Sequence, residues 1–319
     1  MRILFWLLVI VSILWGGYWF IGSSAVEREA KAALANASED GYALQYSELK
    51  TIGFPSRFDT TISDVDFTAP SGLRWTAPFF QVFALSYKPY HLIAVWPNEQ
   101  TISDFANTVE LTSEDLRASL IVEPNTKLAL DRLQLTGLGL EANINNSDNV
   151  TVQDLSVATR QGIAAQSHDI FVSLNDLHVS SPQLPRGQIA FDAATLDANV
   201  VFDQPLNRES ERPEVLKIML NNANVSQGDV RLGVSGELNF DAAGRANGSL
   251  TLKAENWRTA FDQLRSLGVL PEKNAEQLQG LLSALANSSG SETDITAPLA
   301  VKNGAVLFGF IPLGQIPPL

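Results

Sequence analysis

The chain has 319 residues, of which 45% are hydrophobic, and this fraction is ample for a folded core and excludes a disordered chain. The formal net charge of −13 excludes nucleic acid as an expected partner, because phosphate-rich partners favour basic surfaces. The chain contains no cysteine, which excludes thiolate catalysis, disulfides and Cys-ligated metal sites.

The first segment, residues 3–21 (ILFWLLVIVSILWGGYWFI), contains no charged residue. At about 1.5 Å per residue, a helix of this length extends roughly 28 Å, close to the thickness of a hydrocarbon core. Trp15, Tyr18 and Trp19 lie near its end, where aromatic rings prefer the membrane interface. The uncharged run predicts a single-pass anchor, which we expect in a bacterial inner membrane. Because Arg2 precedes the run, we expect a cytoplasmic N-terminus and a periplasmic C-terminal domain.

A cleaved signal peptide is the alternative, since Ser23 and Ala25 provide a small-x-small cleavage site. The apolar run is longer than the about 7–15 residues of a signal-peptide core, so we favour an uncleaved anchor over residues 1–22. Both interpretations export the rest of the chain. Residues 23–41 are predicted to form a helical stalk ended by a glycine, and residues 42–319 a single β-rich periplasmic domain.

The segment IGFPSRFDTT, residues 52–61, predicts a structural corner closed by an ion pair. Its residues are Gly53, Pro55, Arg57 and Asp59. Arg57 and Asp59 are two apart on a predicted strand and therefore share one face, while Phe54 and Phe58 are expected to point inward. The functional alternative is that Arg57 clamps an anion or a lipid headgroup.

The stretch 77–97 is apolar on both faces of a predicted hairpin, with strands 78–87 and 91–96 around a turn at residues 88–90. Such a hairpin needs two apolar partners, of which one is the core of the sheet. The other is either a helical cover from residues 256–286 or acyl chains in a groove. The residues predicted to line an apolar groove are Phe79, Phe83, Tyr87 and Trp96.

Three segments with the same alternation begin 22 residues apart, at 128–137, 150–159 and 172–181. Each is interrupted by one extra polar residue, which indicates a bulge or a phase shift. A spacing of 22 residues leaves room for a return strand, so we expect one hairpin per repeat. Further hairpins are predicted around DAAG (241–244) and around Asn303–Gly304.

One helical region interrupts the strands, and it is predicted to be a helical hairpin over residues 256–287. Its first helix places an apolar stripe on one face and ends at Gly268, and its second begins at Pro271. The predicted fold class is therefore mainly β (α+β). A transmembrane helix precedes a curved antiparallel sheet of repeated hairpins, on which the helical hairpin packs.

Residues typical of catalytic or cofactor sites are scarce. The three histidines, His91, His168 and His178, are expected to be single surface residues. The sequence has no His-Glu-x-x-His, Gly-x-Ser-x-Gly, phosphate-binding loop or dinucleotide fingerprint. We therefore predict a protein that is not an enzyme, with no catalytic, cofactor-binding or metal-binding residues.

Several motifs carry a resemblance to a known family: GFPSRFDTT, WTAPFFQVFALSYKPYHLIAVWPNEQT, LTSEDLRASL and ITAPLAVKNGAVLFGFIPLGQIPPL. Over nearly its whole length the chain resembles the alphaproteobacterial domain-of-unknown-function family 2125, for which no activity is established. In its layout it is more distantly similar to AsmA-type envelope proteins, which are associated with phospholipid transport. That likeness implies binding or passing of a phospholipid or other amphiphile in envelope maintenance. The alternative is an envelope scaffold that binds partner proteins by β-augmentation.

Overall fold

The computed structural model describes residues 2–267, 272–289 and 291–319. Over these residues the protein is mainly antiparallel β-sheet, with an N-terminal helix and two further helices, which confirms the predicted fold class. Residue contacts divide the chain into two compact units. The first unit contains residues 1–124 and 135–146, and the second contains residues 125–134 and 147–319. The predicted division into an anchor (1–22), a stalk (23–41) and a single domain (42–319) is not tested by these contacts and stays a prediction.

Helix α1 runs without interruption from Arg2–Glu39, so the predicted apolar segment and the predicted stalk form one helix. The helix is long and apolar enough to cross a membrane. Apart from the half-buried Val9, the side chains of residues 2–15 are exposed, including Ile3 at 84% and Leu14 at 67%, as expected of a segment that the protein itself does not cover. Gly41 then takes a φ of 86°, a left-handed conformation that ends the helix readily.

The first unit contains α1, strands β1 to β8 and most of β9. These strands are β1 (Ala43–Gln45), β2 (Glu48–Ile52), β3 (Arg57–Thr68), β4 (Arg74–Leu85), β5 (Lys88–Val95), β6 (Glu99–Ser103), β7 (Thr108–Thr112), β8 (Asp115–Val122) and β9 (Leu130–Ile144). β1 and β2 pair with opposite ends of β3, and β3 pairs with β4. β4 pairs with both β5 and β6, which continue to β8 and β7 respectively.

The predicted aromatic hairpin is present as β4 and β5, but the predicted turn at residues 88–90 is wrong. Leu85 pairs with Lys88, so Ser86 and Tyr87 form the turn and Pro89 lies inside β5. Pro89 is absent from the registers of β5 with β4 and with β8. A proline is tolerated there because no ladder hydrogen bond requires its missing N–H group.

The second unit contains the remaining strands and helices α2 (Trp257–Ser266) and α3 (Glu272–Ser289). Its strands are β10 (Asp148–Gln161), β11 (Ser167–Ser180), β12 (Gln188–Phe202), β13 (Val215–Gln227), β14 (Val230–Phe240), β15 (Ala246–Glu255), β16 (Ile295–Lys302), β17 (Ala305–Phe308) and β18 (Ile311–Gln315). Each pairs antiparallel with the next in sequence, from β10 through β18.

The 22-residue repeat is real, but the expected hairpin per repeat is wrong. The segments 150–159 and 172–181 lie in adjacent strands, with Val150 opposite Val179 and Val157 opposite Val172. Each period is therefore one long strand and its turn, since strands of 14 residues occupy most of the spacing. The register continues unchanged past the extra polar residue, where Asp176 has a φ of 49°.

Two predicted turns are confirmed in this unit. Phe240 pairs with Ala246 across the DAAG turn, and Lys302 pairs with Ala305 across Asn303–Gly304. Asn303 and Gly304 have φ values of 50° and 84°, as a two-residue hairpin turn requires.

The helical hairpin is confirmed as α2 and α3, and it packs on the sheet in the core of the second unit. The buried core residues here are Ala254, Trp257, Phe261, Ala275, Leu278, Leu282, Ala286 and Ile295. They come from both helices and from the strands β15 and β16 beneath them, as the predicted apolar stripe requires. The predicted helix boundaries at Gly268 and Pro271 lie outside the described residues.

Candidate functional site

A concave site lies in the second unit, between α2 and the sheet. Its floor is a row of apolar residues placed side by side by the strand registers. Val225 pairs with Leu232, Leu232 with Ala254, and Ala254 with Ile295. Because directly paired residues point to the same side of a sheet, this row forms an apolar surface across four strands.

Two cavities lie along this floor and a third adjoins them over β11 and β12, and we call the three together the groove. The inner cavity, of about 140 Å³, lies against Trp257, Phe261 and Leu278. The middle cavity, of about 220 Å³, shares Leu232, Ala260 and Leu264 with it. The outer cavity, of about 430 Å³, shares Ile189, Gln227, Gln263 and Leu267 with the middle cavity.

Polarity changes along the groove from one end to the other. Every residue that lines the inner cavity is apolar, and the middle cavity adds only Ser226, Gln227 and Gln263 as polar residues. The outer cavity is lined by polar side chains that include His178, Ser180, Arg186 and Gln188. Among the described residues Arg186 has no carboxylate partner within ion-pair distance, so its guanidinium charge is available to an anion.

The apolar end of the groove holds one buried polar group of note. Trp257 is 2% exposed, and its indole Nε1 has no hydrogen-bond partner among the described residues. A buried donor without a partner costs about 1–3 kcal/mol. An acceptor atom of a bound molecule would remove that cost.

The structure separates the four aromatic residues that were predicted to line a groove. Phe79 and Phe83 lie on one face of β4, since they alternate with Phe80. Trp96 packs against Phe80, at 5.2 Å between ring centroids, and is therefore on the opposite face. Tyr87 lies in the β4–β5 turn and is 64% exposed. The rings at 79, 83 and 96 are half-buried, and their binding of a lipid stays a prediction.

Of these four residues, Phe83 lines a cavity in the first unit. This cavity, of about 370 Å³, is formed by Arg57, Phe83, Ala84, Leu85, His91 and Ile93. His91 Nε2 lies 2.9 Å from Ser119 Oγ on the adjacent strand, which fixes its ring. The cavity thus combines apolar walls with the side chains of Arg57 and His91.

The corner residues are assembled around the Phe54–Pro55 peptide, which is cis. Gly53 has a φ of 108° and accepts a hydrogen bond from Arg57 N at 2.9 Å. Arg57 Nη2 lies 2.6 Å from Asp59 Oδ2, and Asp59 is buried. A clamp function for Arg57 stays a prediction.

The expected inward orientation of the two corner phenylalanines is half right. Phe58 is buried, but Phe54 is 56% exposed. The reason is that Phe54 rests on Trp19 and Phe20 of α1, at 5.5 and 5.7 Å between ring centroids, and this leaves its outer face uncovered. The local sequence of this turn carries no sign that a helix packs at this position.

The expectation of three surface histidines is wrong for His168, which is 1% exposed in the second unit. It lies on β11 opposite Val200, beside the ring of Phe202, with Nδ1 3.3 Å from Thr159 Oγ1. Burial lowers the pKa of His168 below its usual 6.5, and the charge of Asp169 opposes this shift. No group of three His, Asp or Glu residues that could hold a metal ion occurs among the described residues.

The groove residues were missed as a group because no local pattern marks them. Alternation in strands β12 to β16 and the apolar stripe of α2 each indicate a buried face. Only the registers and the position of α2 decide that these faces leave space between them. Arg186 lies in the loop between β11 and β12, where a single arginine carries no sequence signal.

No curated protein and no solved structure matches this chain. A family model does match, over residues 19–317, and its family is described as "Uncharacterized protein conserved in bacteria (DUF2125)". The match begins within α1 and covers all of the strands β1 to β18, so it includes the groove, the corner and the aromatic hairpin. The chain therefore belongs to the DUF2125 family of bacterial proteins.

Proposed function

We propose that this protein is anchored in the bacterial inner membrane by α1 and holds an amphiphile, of phospholipid type, in the groove of its periplasmic portion. The observation that carries the proposal is the ordered change in polarity along the groove, from an apolar inner end to an outer end with Arg186. A molecule with an acyl chain and an anionic headgroup has the same order of polarity. Ligand sites of this kind are mostly apolar, with a few polar groups that fix orientation.

The anchor and its orientation are supported by the ends of α1. The helix contains an uncharged apolar run preceded by Arg2, and positive residues favour the cytoplasmic side. Retention of this segment is supported by its packing, because Trp19 is buried against Phe54 and Phe58 in the folded protein. Cleavage after Ala25 would remove these contacts. The layout of one membrane helix followed by antiparallel strands also resembles that of AsmA-type envelope proteins.

The groove is tested by photo-crosslinking in intact membranes. A lysophosphatidic acid with a diazirine in its acyl chain is added to membranes that contain the full chain, and labelled peptides are mapped by mass spectrometry. We expect adducts in α2 and in β12 to β14, in addition to adducts in α1. Adducts in α1 report insertion of the helix and serve as the internal reference.

Two variants and one control locate the site. Ala260→Phe places a ring where the inner and middle cavities meet, and we expect it to abolish the α2 adducts. Ala284→Phe makes the same change on the exposed side of α3 and should leave them unchanged. Arg186→Glu alters only an exposed side chain, and we expect it to reduce labelling by the anionic probe several-fold.

The proposal is overturned if the wild-type protein is labelled in α1 alone, or if the control and Ala260→Phe behave alike. Recovery of crosslinked protein partners in place of lipid adducts would support the alternative of a β-augmenting scaffold. Location is tested in the same cells, because protease added to spheroplasts should degrade the chain beyond α1 only if that part is periplasmic.

A further inference from the structure

Helix α1 is attached to one end of the first unit by three side-chain hydrogen bonds. Trp15 Nε1 donates to Pro55 O at 2.9 Å, and Trp19 Nε1 donates to Arg57 O at 2.7 Å. Tyr18 Oη donates to Ser86 O at 2.6 Å. The acceptors belong to two adjacent turns, residues 53–58 and residues 85–88, which we call the tip.

The two turns of the tip are also bound to each other. Ser86 N donates to Ser56 O at 2.9 Å, and Ser86 is fully buried. Glu27 of α1 accepts a hydrogen bond from Thr51 N at 2.7 Å, and Thr51 lies in β2 directly before the first turn. The position of α1 relative to the tip is therefore fixed by contacts over several helical turns.

These contacts determine the depth of the tip in a membrane that α1 spans. At about 1.5 Å per residue, Trp15 lies roughly 9 Å before the end of the apolar run at residue 21. The polar interface of a bilayer adds only about 5–7 Å on each side of the hydrocarbon core. When the apolar run ends at the outer surface of this interface, Tyr18 and Trp19 lie about 3–5 Å below that surface, within the headgroup layer, and the tip that they bind lies at the same depth.

The side chains that the tip presents suit such a position. Phe54 and Tyr87 are 56% and 64% exposed, and aromatic rings favour the interface. The tip also carries Arg57 and Lys88, whereas the whole chain has a formal net charge of −13. Asp59 is paired with Arg57, so Lys88 remains as a cation that can face anionic headgroups.

From these observations we infer that the tip is inserted into the headgroup layer of the bilayer that α1 spans, where Lys88 contacts anionic phospholipid headgroups. This inference rests on the proposed membrane anchor and is independent of the groove. The tip holds the first unit against the membrane surface, with Phe54 and Tyr87 as the inserted rings.

The absence of cysteine makes the inference directly testable, because an introduced cysteine carries the only label. The full chain is reconstituted into vesicles of phosphatidylethanolamine and phosphatidylglycerol, with an NBD fluorophore at Tyr87→Cys. The matched control is Phe105→Cys, an exposed aromatic beyond the other end of β4. At about 3.3 Å per residue, the ends of β4 are roughly 36 Å apart.

We expect blue-shifted emission and quenching by nitroxide-labelled lipid at Tyr87→Cys, and water-like emission without quenching at Phe105→Cys. The blue shift should grow with the phosphatidylglycerol fraction, and Lys88→Glu in the labelled protein should weaken that dependence. Carbonate extraction of the same vesicles reports whether α1 is inserted. An aqueous signal at Tyr87→Cys with α1 inserted overturns the inference alone, whereas failure of α1 to insert overturns it together with the proposed anchor.

Discussion

Removal of the Phe261 side chain should release α2 from the sheet and open the groove. Phe261 is 4% exposed and packs in the core formed by α2, α3 and the strands beneath them. An aromatic side chain buries about 150–250 Å², which at about 25 cal/mol per Å² corresponds to roughly 4–6 kcal/mol. Phe-to-Ala substitutions in cores cost about 3–5 kcal/mol, in agreement with this value.

Hydrogen exchange measured by mass spectrometry reports the opening of α2 from the amides of that helix alone. The loss of α2 packing is therefore measured separately from any change in the membrane helix α1. A loss of 3–5 kcal/mol, at about 1.4 kcal/mol per factor of ten, corresponds to roughly 100- to 4,000-fold faster exchange. We therefore expect Phe261→Ala to accelerate exchange in α2 by this factor, or to the unprotected limit if wild-type protection is smaller.

The matched control is Asp262→Ala, which changes an exposed neighbour on the same helix and should shift stability by less than about 0.5 kcal/mol. The reasoning is refuted if Phe261→Ala leaves the α2 amides protected, or if Asp262→Ala accelerates their exchange equally. In either case the packing of α2 on the sheet would not be what closes the inner end of the groove.

Two further predictions concern stability. Burial lowers the pKa of His168, so the unfolded chain binds a proton at this histidine more readily than the folded chain does. The stabilisation from the neutral histidine should therefore be complete above about pH 6.5 and decline below it. His168→Gln should flatten this decline in urea unfolding measured from pH 7 to 5. A slope that His168→Gln leaves unchanged would contradict the assignment. Gly248→Ala would place Cβ 2.0 Å from a backbone oxygen of β14 and should destabilise by at least about 1–3 kcal/mol. Gly280→Ala, at an exposed position in α3 with no atom near the added Cβ, should instead stabilise the protein by about 0.5–1 kcal/mol. Thermal unfolding of both variants checks this, and unfolding temperatures that shift in the same direction would contradict the reasoning.

Features encoded over a few residues were predictable from the chain. The uncharged run of residues 3–21 specifies a long apolar helix, because its composition leaves no polar face. Asn303–Gly304 specifies a turn, because both residues tolerate a positive φ. The stripe containing Trp257 and Phe261 likewise specified a helix with one buried face.

Features that depend on partners distant in sequence were not predictable. The repeat at 22 residues is compatible with one strand or with two, and only the pairing of Val150 with Val179 decides between them. Phe54 was expected inside because the sequence around its turn gives no sign of helix α1, on which its ring packs. His168 was expected outside because its neighbour in the sheet, Val200 of β12, lies some thirty residues further along the chain.

The sequence by itself determined a long apolar helix, antiparallel strands, the turns at residues 241–244 and 303–304 and a helical hairpin, since each follows from side-chain periodicity and local backbone preference. Only the tertiary structure decided where an open space remains between α2 and the sheet, and which aromatic residues of α1 bind the tip. Both depend on registers and packing among residues separated by tens of positions in the chain, and local preferences do not contain that information.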